Sequence, residues 1–344
     1  MTDELILTRP DDWHLHVREG ALLRCVVPDT ARQFARAIIM PNLKPPVATV
    51  ERALSYRDEI LQAVPEGMHF TPLMTLYLTE QTTPEEIKKA AECEHVYAVK
   101  LYPAGATTNA ASGVRNIKEV YPVIEAMEKY DLPLLMHGEV VDTEIDVFDR
   151  EAVFIERHLE PLVQHFPGLR MVMEHITTQT AVEFVRSAPD TLAATITAHH
   201  LLLNRNAMFE GGIRPHHYCL PLIKRETHRQ ALVAAATSGH PKFFLGTDSA
   251  PHPKGAKEAE CGCAGIYTAK DAMAFYAEVF DAAGCLDRLE GFASFYGADF
   301  YGLPRNTDTI RLIRESVSVP ETIDFGGEIG VPLRAGGEVH WKVA

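Results

Sequence analysis

Two histidines two residues apart, His14 and His16 in the run WHLHVRE, are the first side chains in this sequence with the type and spacing to do chemistry. On an extended strand residues i and i+2 face the same side, so both imidazoles can grip one ion while Leu15 and Val17 face away. Taken alone, the pair equally describes partly buried strand histidines. Four further groups bear on the choice: Lys100 in VYAVKLYP, His137 in LLMHGE, His175 in MVMEHITT and Asp248 in FFLGTDSAPH each close a short apolar, β-rich run. Each could be an ordinary polar strand end, but five strand ends doing so together point to a metal centre.

Lys100 is the odd member, because an ammonium has no lone pair and repels a cation. If burial depresses its pKa, the neutral amine can add carbon dioxide, and the resulting carbamate offers two oxygens able to bridge two metal ions. A carboxylated Lys100 is therefore expected.

The elements that must position these groups follow from the alternation of β-rich and helical runs. Eight runs, WHLHV, ARAIIMPN, HFTPLMTLYL, VYAVKLYP, LPLLMHGE, RMVMEH, LAATITAHHL and FFLGTD, are separated by amphipathic stretches such as TPEEIKKAAEC, where Thr83 before Pro84 and two glutamates makes a helix start. This alternation predicts an α/β fold with a parallel sheet, and no Gly-rich phosphate turn follows the first strand, so a (β/α)8 TIM barrel is expected over a doubly wound sheet. In such a barrel the active site occupies the C-terminal ends of the strands, where these polar residues fall. No repeat, low-complexity tract or Pro/Ser-rich linker divides residues 1–344, so one barrel domain is expected, with the Gly-rich tail after Thr309 as short strands on its outside.

Charge narrows the partners. Against 33 Lys and Arg stand 47 Asp and Glu, a net charge of -14 that repels nucleic acid and anionic membrane surfaces. The opening MTDELILTRP is charged where a signal peptide needs an apolar core, and no run approaches the roughly 18 apolar residues of a membrane span, so a cytoplasmic protein is expected. Six cysteines without a C-x-x-C pair fit reduced thiols. A small acidic ligand can bind such a chain only where local cations or metal ions reverse the field.

Together these residues resemble the amidohydrolase superfamily, whose binuclear members use His-x-His, a carboxylated lysine, two more histidines and an aspartate from successive barrel strands. Within it, WHLHVREG, MPNLKPP, VKLYPAGATTNAASGV, HGEV, EHITT, HHLLLNRN and GTDSAPH, spread from residue 13 to about residue 265, are similar to the single-domain bacterial dihydroorotases. The resemblance implies a zinc-dependent cyclic amidohydrolase for the reversible closure of N-carbamoyl-L-aspartate to L-dihydroorotate, a step of pyrimidine synthesis. It implies that His14, His16 and Asp248 hold one zinc, that His137 and His175 hold the second, and that carboxylated Lys100 bridges them. A metal-bridging hydroxide would be the nucleophile and Asp248 the general acid and base.

For the substrate, Arg18 continues the face of His14 and His16, and its fork suits a carboxylate. The resemblance gives Asn42 and His252 the same role, assigns ring contacts to the backbones of Leu220 and Ala264, and makes AGATTNAASGV a lid from which Thr107 and Thr108 donate hydrogen bonds. It also implies a homodimer. Two other readings stand beside this one. Another cyclic-amide hydrolase or deaminase of the superfamily would not need Arg18, Asn42 and His252, and a non-catalytic scaffold barrel has no reason to keep the full ligand set. His199, His200, His216, His217, Cys261 and Cys263 look like metal ligands on spacing alone but are left outside the site, as is Cys219; Cys261 and Cys263, alternate residues in a loop, share no fixed face. The ligand types accept zinc, cobalt or manganese.

Overall fold

A computed structural model describes residues 3–344. After β1 (Glu4–Thr8) the chain lays down eight parallel strands, each beside its predecessor: β2 (Asp11–Leu15), β3 (Arg36–Ile39), β4 (Thr71–Tyr77), β5 (Val96–Leu101), β6 (Leu134–His137), β7 (Met171–Glu174), β8 (Leu192–Ile196) and β9 (Phe243–Leu245). These are the eight expected runs. The ring closes between β9 and β2, where the Asp248 amide donates to the His14 carbonyl (2.9 Å) and the His16 amide to the Ser249 carbonyl (3.1 Å). The buried Asp12 carboxylate fastens the same seam, accepting from the Thr247 amide (2.8 Å), the Thr247 hydroxyl (2.6 Å) and the His14 amide (3.1 Å).

Strand alternation builds the site in layers. Ile38, Leu73, Ala98, Leu135, Val172, Ala193 and Phe244 point into the barrel and form one apolar cluster with Trp13. Two residues further along each strand the same inward direction recurs, which brings Lys100, His137, Glu174 and Thr195 to the layer above. Trp13 and His14 are neighbours in sequence, and both join this interior because the register of β2 against β3 shifts between Asp12 and Leu15. Below, the barrel is stoppered by the helix Tyr296–Tyr301, whose Tyr301 ring stacks on Trp13 at 4.7 Å. A Cβ on Gly297 would sit 2.0 Å from Trp13 Nε1, so only glycine lets this helix approach.

The tail forms the expected outer strands. β10 (Thr309–Ile313) pairs antiparallel with β1, and Lys342–Val343 pairs with the other edge of β10. β1 itself lies outside the eight runs read from the sequence: its five residues are too few for a clear period. Among the described residues no helix is long and apolar enough to cross a membrane.

Candidate metal centre

The C-terminal rim gathers the expected ligands in two ways. Lys100 and His137 lie within their strands, in phase with Ala98 and Leu135 beneath them. His175 follows β7 and Asp248 follows β9, and both turn inward on left-handed backbones, with φ of 42° and 44°. Such conformations cost of order 1–3 kcal/mol in a residue with a Cβ and persist where the surroundings enforce them. Here the Thr195 hydroxyl holds the His175 amide at 2.7 Å, and the β2 seam holds Asp248. Glycine also makes room: a Cβ on Gly246 would fall 2.8 Å from Thr195 Cβ and 3.0 Å from His14 Cβ.

The geometry is that of ligands aimed at a common space. Metal-binding atoms of His14, His16 and Asp248 lie within 4.8 Å of one another, all buried. Asp248 Oδ1 is 3.3 Å from His14 Nε2 and 3.1 Å from His16 Nε2. The His175 ring lies 4.9 Å from both His14 and His137, so the four imidazoles form a continuous chain. His14 Nδ1 donates to Glu174 Oε2 (2.8 Å), His16 Nδ1 to Asn42 Oδ1 (2.8 Å), and His137 Nε2 to Glu139 Oε2 (2.8 Å). Each bond fixes a tautomer and leaves the opposite nitrogen with its lone pair facing the centre.

The residues fit a cationic group on two independent grounds. His14 Nε2, His175 Nδ1 and Lys100 Nζ are buried without a hydrogen-bond partner, which is costly unless something else satisfies them. The electrostatics also favour positive charge. Burial pushes His16 down to about 3 and His175 well below its ordinary value, the neutral form a ligand needs. Burial works against a charged His14 as well, yet Glu174 and Asp248 raise it overall. Asp248 itself is held well below the carboxylate range, since the imidazoles of His14, His16 and His175 outweigh its burial. Lys100, fully buried, is pushed down to about 8, within reach of the neutral amine that carbamate formation requires.

A small cavity is lined by His14, His16, His137, His175 and Asp248, and also by Arg18, Asn42, Thr107, Thr108, Leu220 and Ala264. Lys100 lies beneath this lining. Arg18 departs from the expectation that it continues the first strand: β2 ends at Leu15, and Arg18 reaches the cavity from a turn with φ of 59°. Its Nε donates to the Pro251 carbonyl (3.1 Å), its Nη2 meets His252 Nε2 (2.9 Å), and its buried Nη1 has no partner. His252 thus sits behind Arg18, in the outer wall of the entrance. The segment that carries Thr107 and Thr108 is fastened to the cavity wall: Asn42 Nδ2 donates to the Thr108 carbonyl (3.2 Å), and the Ala264 amide to the Thr108 hydroxyl (3.1 Å).

The histidines and cysteines left outside the site fare differently. His216 and His217 meet Glu258 and the Ala207 carbonyl away from the cavity. His199, His200 and Cys219 do cluster, with donor atoms within 4.8 Å, but His200 is already bonded to Thr197 and the Pro221 carbonyl. Two functional residues escaped the sequence reading, Glu139 and Glu174. Glu174 carried a signal, being the inward residue of β7 by alternation with Val172. Carboxylates behind ligand imidazoles govern metal affinity, so Glu174→Gln is expected to weaken metal retention by about 10- to 100-fold. Metal content after dialysis against graded chelator measures this, and wild-type retention would mean that His14 needs no such support.

The sequence matches the family model described as the amidohydrolase family over residues 6–315. A dihydroorotase of Nitrosomonas europaea is 64% identical over 344 residues, spanning 99% of this chain and 99% of its own. Among solved structures, the dihydroorotase of Saccharomyces cerevisiae in complex with 5-fluoroorotic acid matches with a TM-score of 0.92 and 35% identity, over 100% of this chain and 99% of that one. The dihydroorotase of Campylobacter jejuni matches with a TM-score of 0.91 and 36% identity, over 100% and 98%.

Proposed function

The chain belongs to the amidohydrolase family, and from that premise we propose how its cavity carries out the dihydroorotase reaction, the reversible closure of N-carbamoyl-L-aspartate to L-dihydroorotate. The observation that carries the reading is the convergence of five candidate ligand groups on one small cavity, with the sixth, Lys100, buried beneath it and an unpaired guanidinium nitrogen at its rim. Two zinc ions, one at His14, His16 and Asp248 and one at His137 and His175, with carboxylated Lys100 between them, would polarise the amide carbonyl and lower the pKa of a water.

The protein's own groups do the rest. In the hydrolytic direction Asp248 takes the proton of the attacking water and passes it to the ring nitrogen as the C–N bond breaks. In ring closure it takes the ureido proton and returns it to the departing oxygen. The side-chain pairs behind His14, His16 and His137 keep these rings from turning as charge moves. Arg18 Nη1, backed by His252, and Asn42 receive the substrate carboxylate, which reverses the repulsion expected from a net acidic chain. The main chains of Leu220 and Ala264, both in the cavity lining, bind the ring. That a yeast relative holds 5-fluoroorotic acid, a pyrimidine carboxylic acid, supports this substrate class. We place the reaction in the cytoplasm, in a homodimer.

Thr107 and Thr108 line the cavity from above and serve as lid donors. Replacing both with alanine is expected to lower kcat/KM by about tenfold for each hydrogen bond lost, at roughly 1–1.5 kcal/mol per bond, with metal content unchanged. Wild-type kinetics in the double variant would make the segment a passive connection. The function itself is tested by supplying L-dihydroorotate and, separately, carbamoyl aspartate to the zinc-loaded protein and following the ultraviolet absorbance of the ring. Turnover in both directions is expected; turnover in neither refutes the assignment.

A further inference from the structure

Lys257 ends the short helix Lys254–Lys257 that follows the His252 segment, and it is almost wholly buried. Its Nζ donates to three main-chain carbonyls: Tyr218 at 2.7 Å, Cys263 at 2.8 Å and Gly265 at 2.7 Å. An ammonium has three protons, and all three are used here. The choice of carbonyls is informative. Cys263 and Gly265 flank Ala264, and Tyr218 stands two residues before Leu220, so one side chain ties together the two segments whose Leu220 and Ala264 line the cavity from different stretches of chain. The same carbonyl of Tyr218 also accepts the Gly265 amide at 3.0 Å.

The segment around Ala264 has little freedom of its own to set this distance. Gly265 has φ of +148°, and a Cβ there would lie 2.6 Å from the Ala250 carbonyl oxygen, so the chain passes Ala250 only as glycine. The Ala264 amide is taken by Thr108, and its carbonyl lies 3.1 Å from His252 Nε2. The Lys257 ammonium and the Gly265 amide, both on the Tyr218 carbonyl, hold this strip against the Leu220 segment.

We propose that Lys257 is a positioning residue that sets the gap between the Leu220 and Ala264 main chains and thereby the grip on the pyrimidine ring. The inference rests on the reading of those two backbones as ring contacts. It assigns Lys257 to substrate affinity and leaves the metal ligands and Asp248 untouched. Neither methionine nor arginine can replace it: a methionine leaves the Cys263 and Gly265 carbonyls without this donor and the Tyr218 carbonyl with the Gly265 amide alone, and the planar fork of arginine cannot aim at three carbonyls converging on one point.

The test uses zinc-loaded wild type, Lys257→Gln and Lys257→Arg, assayed in both directions with metal content measured in each. Because a small misplacement of bound groups costs up to about 10²-fold, KM for both substrates is expected to rise roughly 10- to 100-fold in Lys257→Gln. kcat should change by less than about threefold, zinc content should match wild type, and Lys257→Arg should fall between the two. Should Lys257→Gln fail to fold, Lys257→Arg carries the test alone with the same KM-against-kcat split. An unchanged KM in a folded, zinc-loaded variant, with or without a lower Tm, overturns the proposal and makes Lys257 a brace of the loop only. A fall in kcat or zinc content at constant KM overturns it too. If wild type itself turns over neither substrate, the functional reading fails first, and the two failures are thus distinct.

Discussion

Lys100→Ala is expected to lose at least about 10³-fold in turnover, the several kcal/mol that metal-ion catalysis supplies at roughly 1.4 kcal/mol per decade. The loss should be accompanied by a fall in bound metal toward one ion per chain or none. Lys100 is fully buried beneath the cavity lining, its Nζ has no hydrogen-bond partner, and its nearest charges are Glu174 and Asp248. A carbamate on this nitrogen would offer two oxygens able to bridge two metal ions. Short carboxylic acids such as propionate should restore part of the activity and metal content in the alanine variant, because they offer the same two oxygens in the vacated space. The modification itself should show as one added carbon dioxide in the native intact mass. With the Lys100 pKa near 8, the neutral amine fraction rises as pH increases through that value, so recovery of carbonate-depleted protein on adding bicarbonate should be faster at pH 8 than at pH 6. A plain lysine in fully active protein would contradict this account of the bridge.

Asp248→Asn is the second large effect. Asparagine keeps the shape and an oxygen for a metal ion, but it cannot take a proton. General acid and base catalysis contributes about 10²- to 10⁴-fold, so a loss near 10³-fold in kcat at saturating zinc is expected, with KM changed little. The neighbourhood explains why Asp248 suits the task. His14 above all holds its carboxylate well below the usual range despite burial, and a backbone at φ of 44° aims it at His14 and His16. Asp12 and Thr247 keep that backbone in place through the barrel seam. Retention of wild-type kcat in the asparagine variant would move the proton transfer to another residue.

The parts of this site that could be read from the sequence are those that strand alternation controls. Lys100 and His137 stand two residues beyond inward apolar partners, so a count along the run places them correctly. Where the backbone leaves the strand, counting fails. Arg18 was expected on the face of His14 and His16, but the strand ends three residues earlier and a left-handed turn delivers the side chain instead. On β7 the inward position belongs to Glu174, as alternation from Val172 gives, and His175 enters the site only through its own left-handed φ. On β2 a register shift lets Trp13 and His14 both face the interior, which strict alternation forbids. Lys257 had no signal at all in the sequence, since its three partners are main-chain carbonyls brought together by tertiary folding. Leu220 and Ala264 are implied only by the resemblance to known relatives, because main-chain roles leave no mark on residue identity.

The central claim is that this ligand set runs dihydroorotase chemistry with two metal ions per chain. Chelator-stripped protein titrated with zinc in the presence of bicarbonate, with L-dihydroorotate turnover measured at each addition, tests it most directly. The account predicts negligible turnover without metal and a rise that reaches its plateau at two zinc ions per chain. Full activity in the stripped protein, or a plateau at one ion, would contradict it.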